Sequence, residues 1–207
     1  MVAGGVATLS LAGCDSSARW HETDITGSLP PLAFTMTDAT DGKAVTAADF
    51  RDHVVMLYFG YTMCPDFCPT TLANLAKAVH ELGPQADRVR ILLVTVDPNR
   101  DTLGGLKRYT ALFAPQVVGL RGTADQLTEL ARRYRVAYSV KPASAGHPYE
   151  VTHSSVVYVF DATGRARLLV SSMATSTPDV SGTAADLKRL LRQSAPPTLL
   201  QRIERIV

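Results

Sequence analysis

Three cysteines in 207 residues are too few, and of the wrong parity, for a disulfide-stapled scaffold. They divide into Cys14 alone and the close pair Cys64 and Cys68. No apolar run approaches the roughly 20 residues that cross a bilayer as a helix. Charge of one sign is not in excess either: 21 basic residues face 19 acidic ones. So even a balance supplies no basic face, and it argues against nucleic acid as a partner. Internal repeats and low-complexity blocks are missing. What is present is ordinary: 46% hydrophobic and 19% charged residues. That suits one packed domain and excludes wholesale disorder.

Residues 1–13 are small and apolar, with no Lys or Arg among them. Leu11-Ala12-Gly13-Cys14 resembles the lipobox of bacterial lipoproteins, where the chain is cut before the cysteine and its sulfur carries a diacylglycerol. The missing positive charge departs from a signal peptide, which begins basic. The expected organisation is a truncated or cleaved signal segment at 1–13 and a lipid-anchored tether at 14–33. A folded domain follows at 34–193, then a tail at 194–207 with a short helix carrying Leu199, Ile203 and Ile206. Such an anchor holds the domain on the periplasmic, extracytoplasmic side of a bacterial membrane. Cys64 and Cys68 form a disulfide in that compartment unless reduced or metal-bound.

Periodicity gives the elements. Phe34 to Asp41 reads as an edge strand and turn. Val54 to Phe59 and Arg90 to Val96 are continuous apolar runs, as in strands buried on both faces. Leu72, Leu75, Ala76, Val79 and Leu82 recur at helical spacing until Gly83-Pro84. A helix at Leu103 to Phe113 and a short strand at Val117 to Leu120 come next. Thr123 is the expected N-cap of a helix reaching Tyr134, with Leu127, Leu130 and Ala131 inward. Ser154 to Phe160 and Arg165 to Val170 flank Asp161-Ala162-Thr163-Gly164 as a late β-hairpin, and Thr183 to Leu191 is a last helix. Strands alternating with helices before a hairpin give an α/β domain with a mixed central sheet.

The chemistry concentrates in Gly60-Tyr61-Thr62-Met63-Cys64-Pro65-Asp66-Phe67-Cys68-Pro69-Thr70, between a buried strand and a helix. Ligand sites of open α/β sheets lie at the carboxyl ends of strands. Cysteines four apart share one face of a helical turn, and a helix N-terminus favours thiolates. Two thiolates suit Cu(I) or zinc, or a dithiol–disulfide couple. Asp66, between them, either tunes the sulfur charge or caps the helix. A metal on two sulfurs needs a further ligand. His21 lies in the tether, His53 starts the central strand, and His80 is on the solvent side of a helix. That leaves His153, at the entry to the late hairpin, and its neighbour His147.

These residues carry a resemblance. The cysteine motif, Thr95-Val96-Asp97-Pro98-Asn99-Arg100-Asp101-Thr102, the helix from Gly122-Thr123 to Val136, and Tyr149 to Ser154 are together similar to the Sco/SenC copper proteins. The resemblance implies a thioredoxin-like fold, with Cys64, Cys68 and His153 binding Cu(I) or Cu(II). It also implies delivery of copper to the binuclear site of cytochrome c oxidase, through its copper-receiving subunit or another periplasmic copper protein. Thr152 stands where the family usually has Asp, which bears on affinity and on preference between oxidation states. Asp97, Arg100 and Asp101 are read as a structural loop lock. The rival function is a membrane-anchored thiol–disulfide oxidoreductase using Cys64 and Cys68 as its redox pair. A structural zinc site fits less well, since such sites close with four protein ligands.

Overall fold

The computed structural model describes residues 19–194. Cys14, the leader and the expected tail helix with Leu199, Ile203 and Ile206 lie outside the described residues. None of the described helices is long and apolar enough to cross a membrane.

Among the described residues, ten strands form two sheets. In chain order they are β1 (Thr23–Asp24), β2 (Thr35–Asp38), β3 (Ala44–Thr46), β4 (Val54–Gly60), β5 (Val89–Thr95), β6 (Val117–Arg121), β7 (Tyr138–Lys141), β8 (Glu150–His153), β9 (Val157–Phe160) and β10 (Ala166–Val170). Eight make one mixed sheet in the order β1-β10-β9-β4-β5-β6-β2-β3. β4 runs parallel to β5, and β5 to β6; β9 is antiparallel to β4. All seven residues of β4 are buried, so both of its faces are covered. That is why its sequence is an unbroken apolar run. Among the described residues four α-helices flank the sheet: α1 (Phe67–His80), α2 (Leu103–Thr110), α3 (Ala124–Arg133) and α4 (Val180–Gln193).

Local chemistry explains the joins. Thr123 caps α3 as its sequence predicts: its Oγ1 accepts the Gln126 N–H at 3.2 Å, and the Gln126 side chain accepts the Thr123 N–H at 2.9 Å. α2 lies so close on β6 that a methyl at Gly119 would stand 2.6 Å from Leu106 Cγ. Only glycine permits that approach.

Three sequence expectations change. The strand after Phe34 is not at the edge, because β2 pairs with both β6 and β3. On that side the edge strand is β3, whose three residues, Ala44–Thr46, are too few to show a strand's alternation. The segment expected as a tether is docked from Trp20 onward. β1 pairs with β10, the Glu22 N–H donates to Asp186 at 2.9 Å, Arg189 stacks 3.9 Å from the Trp20 ring centre, and Leu32 is buried in the core. The strand before the Asp161 turn begins at Val157 rather than Ser154. His153 sits instead at the end of β8, which pairs only with β7 in a separate two-stranded sheet.

Candidate metal centre

β4 ends at Gly60, and the chain turns over the sheet's carboxyl edge before entering α1. The Cys64 N–H donates to the Tyr61 carbonyl at 3.4 Å, placing the first sulfur just ahead of the helix. The N-cap residue, Asp66, is exposed and makes no side-chain cap bond. It therefore does not serve the capping role open to it. The Cys64 sulfur stands in: the Cys68 N–H donates to it at 3.4 Å. Cys68, in the first turn of α1, is fully buried. Its sulfur rests against the backbone at Gly60, where an added methyl would lie 3.0 Å from it.

β8 brings the imidazole. His153 Nε2 lies 3.3 Å from Cys68 Sγ, while Nδ1 sits 2.9 Å from the Ser154 carbonyl oxygen. A proton on Nδ1 satisfies that carbonyl and leaves the Nε2 lone pair facing the sulfurs. The ring is wedged edge-on against Tyr58 and Tyr61, with centroids 6.1 and 5.7 Å away. Ligand atoms of Cys64, Cys68 and His153 all lie within 4.8 Å of one another. A cleft of about 490 Å³ opens over Cys64 and His153, walled by Tyr61, Phe67 and Val151.

The electrostatics favour neutral Cys68 and His153 in the absence of a cation. Burial pushes the Cys68 thiol up to about 12, opposed by the Tyr58 hydroxyl and the Tyr61 backbone. The helix N-terminus therefore does not win at Cys68, contrary to expectation, because desolvation is the larger effect. Burial also lowers the His153 pKa, against the pull of the Ser154 and Phe59 carbonyls. A protonated Cys68 and a neutral imidazole suit a soft ion that displaces the thiol proton and returns positive charge to the pocket.

Asp101 is a supporting residue that sequence reasoning placed only in a generic loop lock. Buried at 2% exposure, it accepts from the Thr62 N–H at 3.1 Å, the Thr62 hydroxyl at 2.5 Å and the Thr95 hydroxyl at 2.6 Å. It thereby fixes the turn two residues before Cys64. The four other histidines stay outside the cluster. His21 pairs with Asp179 at 3.7 Å, His53 contacts the Arg51 carbonyl, His80 is exposed at the end of α1, and His147 bridges Ser144 in an exposed loop. Thr152 is exposed beside His153.

The sequence model of the SCO1/SenC family matches residues 29–192. The chain belongs to the SCO1/SenC family. It is 42% identical over 125 residues to the mitochondrial SCO2 homologue of Bos taurus, covering 59% of this chain and 47% of that protein. To the Mus musculus SCO2 homologue it is 34% identical over 160 residues, covering 74% and 63%. The chain thus spans about half to two-thirds of these relatives' length. Two solved Sco structures share the fold. Copper-bound ScoI of Bradyrhizobium japonicum is 33% identical with a TM-score of 0.68, covering 77% of this chain and 98% of that one. Apo Sco1 of Thermus thermophilus is 32% identical with a TM-score of 0.72, covering 84% and 99%. The fold is the thioredoxin-like one that the SCO1/SenC resemblance implied, with a mixed sheet flanked by helices.

Proposed function

We propose that this SCO1/SenC chain binds one copper ion, as Cu(I) or Cu(II), through Cys64, Cys68 and His153 and hands it to a recipient protein. The observation that carries this is the convergence of two sulfurs and Nε2 within 4.8 Å beneath an open cleft. The donor set is soft enough for Cu(I), and the imidazole also serves Cu(II). Three protein ligands leave a position through which a recipient's thiolate or imidazole attacks. Copper then passes by stepwise ligand exchange, without release. The recipient in this reading is the binuclear copper site of cytochrome c oxidase or another periplasmic copper protein. A lipid on Cys14 holds the chain at the periplasmic face of a bacterial membrane, where two acyl chains suffice for firm attachment.

The test loads the chain anaerobically with Cu(I) against a chromophoric chelator and then adds an apo copper domain of the recipient. Wild type retains one equivalent and passes it on. Cys64→Ser, Cys68→Ser and His153→Ala each lose retention by about tenfold or more. Retention by all three variants equal to wild type overturns the proposal.

One observation favours a second activity at the same pair. Both cysteines are free thiols, joined through the Cys68 N–H to Cys64 Sγ contact. They would reduce a recipient disulfide through a mixed disulfide: two electrons and two protons pass across, leaving Cys64–Cys68 oxidised and two recipient thiols. This exchange needs no imidazole, so His153→Ala would keep it while losing copper.

A further inference from the structure

The imidazole and the sulfurs are carried by separate parts of the molecule. Cys64 and Cys68 belong to the main sheet's edge and α1, whereas His153 ends a hairpin whose strands β7 and β8 pair with each other alone. A lone two-stranded hairpin is marginally stable in water. Tyr138, Val140, Val151 and His153 are half-buried on the face toward the body, while Ser139, Lys141, Glu150 and Thr152 face out. What fixes its position is therefore a matter of a few contacts.

One polar contact stands out, and it sits four residues before His153. The Tyr149 hydroxyl donates to Asp97 Oδ1 at 2.8 Å. The Arg100 guanidinium lies 3.6 Å from the centre of the Tyr149 ring, and its Nε donates to the other Asp97 oxygen. Asp97 is 1% exposed, so this is a buried, charge-assisted acceptor rather than a surface pair. The Asp97 N–H in turn donates to the Thr95 hydroxyl at 3.0 Å, and that hydroxyl donates to Asp101, which grips Thr62. A continuous chain of hydrogen bonds thus joins the cysteine turn to the histidine hairpin through the loop after β5.

We infer that Tyr149 is a positioning residue for His153: seated on Asp97 beneath Arg100, it latches the β7–β8 hairpin against the body and sets the imidazole over the sulfurs. Its release lets the hairpin swing and withdraws the third ligand, leaving the cysteine pair in place. The ligand part of this inference rests on the copper reading above; the latch itself does not.

The test uses the full chain with Tyr149→Phe, which keeps the ring under Arg100 and removes only the hydroxyl. Amide hydrogen exchange of the metal-free protein is read first. Exchange across residues 138–153 is expected to quicken about tenfold, the loss of one hydrogen bond to a charged group, with β4 and α1 unchanged. Cu(II) titration is read next, through the sulfur-to-copper absorption band, with His153→Ala as control. Tyr149→Phe is expected to weaken binding about tenfold and to shift the band toward that of His153→Ala. Exchange unchanged at 138–153, or quickened equally in β4, overturns the latch. His153→Ala matching wild type in the copper arm removes the copper reading instead, and hydrogen exchange still decides the latch.

Discussion

Gly60 and Cys68 touch: a methyl built on Gly60 falls 3.0 Å from the Cys68 sulfur and 3.1 Å from Leu93. The glycine closing β4 is thus the floor on which the buried sulfur rests. Gly60→Ala is expected to displace Cys68 Sγ from its place beside His153. It lowers stability by about 1–3 kcal/mol through overpacking and weakens copper retention by a larger factor than that loss alone brings. Chemical denaturation paired with metal competition measures both. Unchanged copper affinity in a well-folded variant contradicts this role for Gly60.

Asp101 holds the other side of the same turn. Asp101→Ala strands the Thr62 N–H and two hydroxyls, and about 3 kcal/mol of stability is expected to go with it. Urea midpoints of wild type and variant decide this. A shift of only a few tenths of a kcal/mol would show that the cysteine turn holds itself.

Much of this arrangement was readable in the residues, and the exceptions have physical causes. β4 and β5 declare themselves because strands covered on both faces need apolar side chains at every position. Cys64 and Cys68 stood out because thiols are scarce in the chain, whereas among five histidines the residues left His153 and His147 open and the family resemblance singled out His153. The β7–β8 hairpin escaped notice because Tyr138–Lys141 and Glu150–His153 are four residues each, half exposed, and joined by a polar loop. Its only hint is the period-two alternation of Tyr138 and Val140, then Val151 and His153. The docking of β1 is invisible for another reason: its anchors Asp186 and Arg189 lie over 160 residues away, and a polar segment gives no sign of them. Asp101 likewise meets Thr62 across 39 residues.

Thiol reactivity separates the two sulfurs. Cys68 is fully buried and its thiol is pushed up to about 12, so little thiolate is present near neutrality. In a Cys14→Ser background, alkylation of the reduced apo protein is expected at Cys64 first, roughly tenfold faster or more. Peptide mass spectrometry resolves the order. Equal rates would mean that the pocket opens faster than the reagent attacks.

The β9–β10 turn supplies a pH signature. Burial works against the Asp161 carboxylate. Hydrogen bonds from Thr163 and the Arg165 N–H, with the Arg165 charge, still hold it below the ordinary 3.8. The unfolded chain therefore binds more protons between 3.8 and the folded value. Stability from this group is full above 3.8 and is lost as pH falls through the folded value. Asp161→Asn is expected to be less stable at neutral pH and to lose less on acidification. Glu22 has the opposite sign: burial outweighs its Thr183 bond and raises it above 4.5. Its contribution declines as pH rises through 4.5 toward the raised value, a decline that Glu22→Gln removes. Urea unfolding across acidic pH reads both, and parallel curves for variants and wild type contradict the assignments.

The most direct measurement of the site is the Cu(II) absorption spectrum of the reduced chain, beside His153→Ala and Cys68→Ser. An intense sulfur-to-copper band at one equivalent of metal, altered by His153→Ala and abolished by Cys68→Ser, is the expected result. A band of the same energy and intensity in wild type and His153→Ala would place the imidazole outside the coordination sphere.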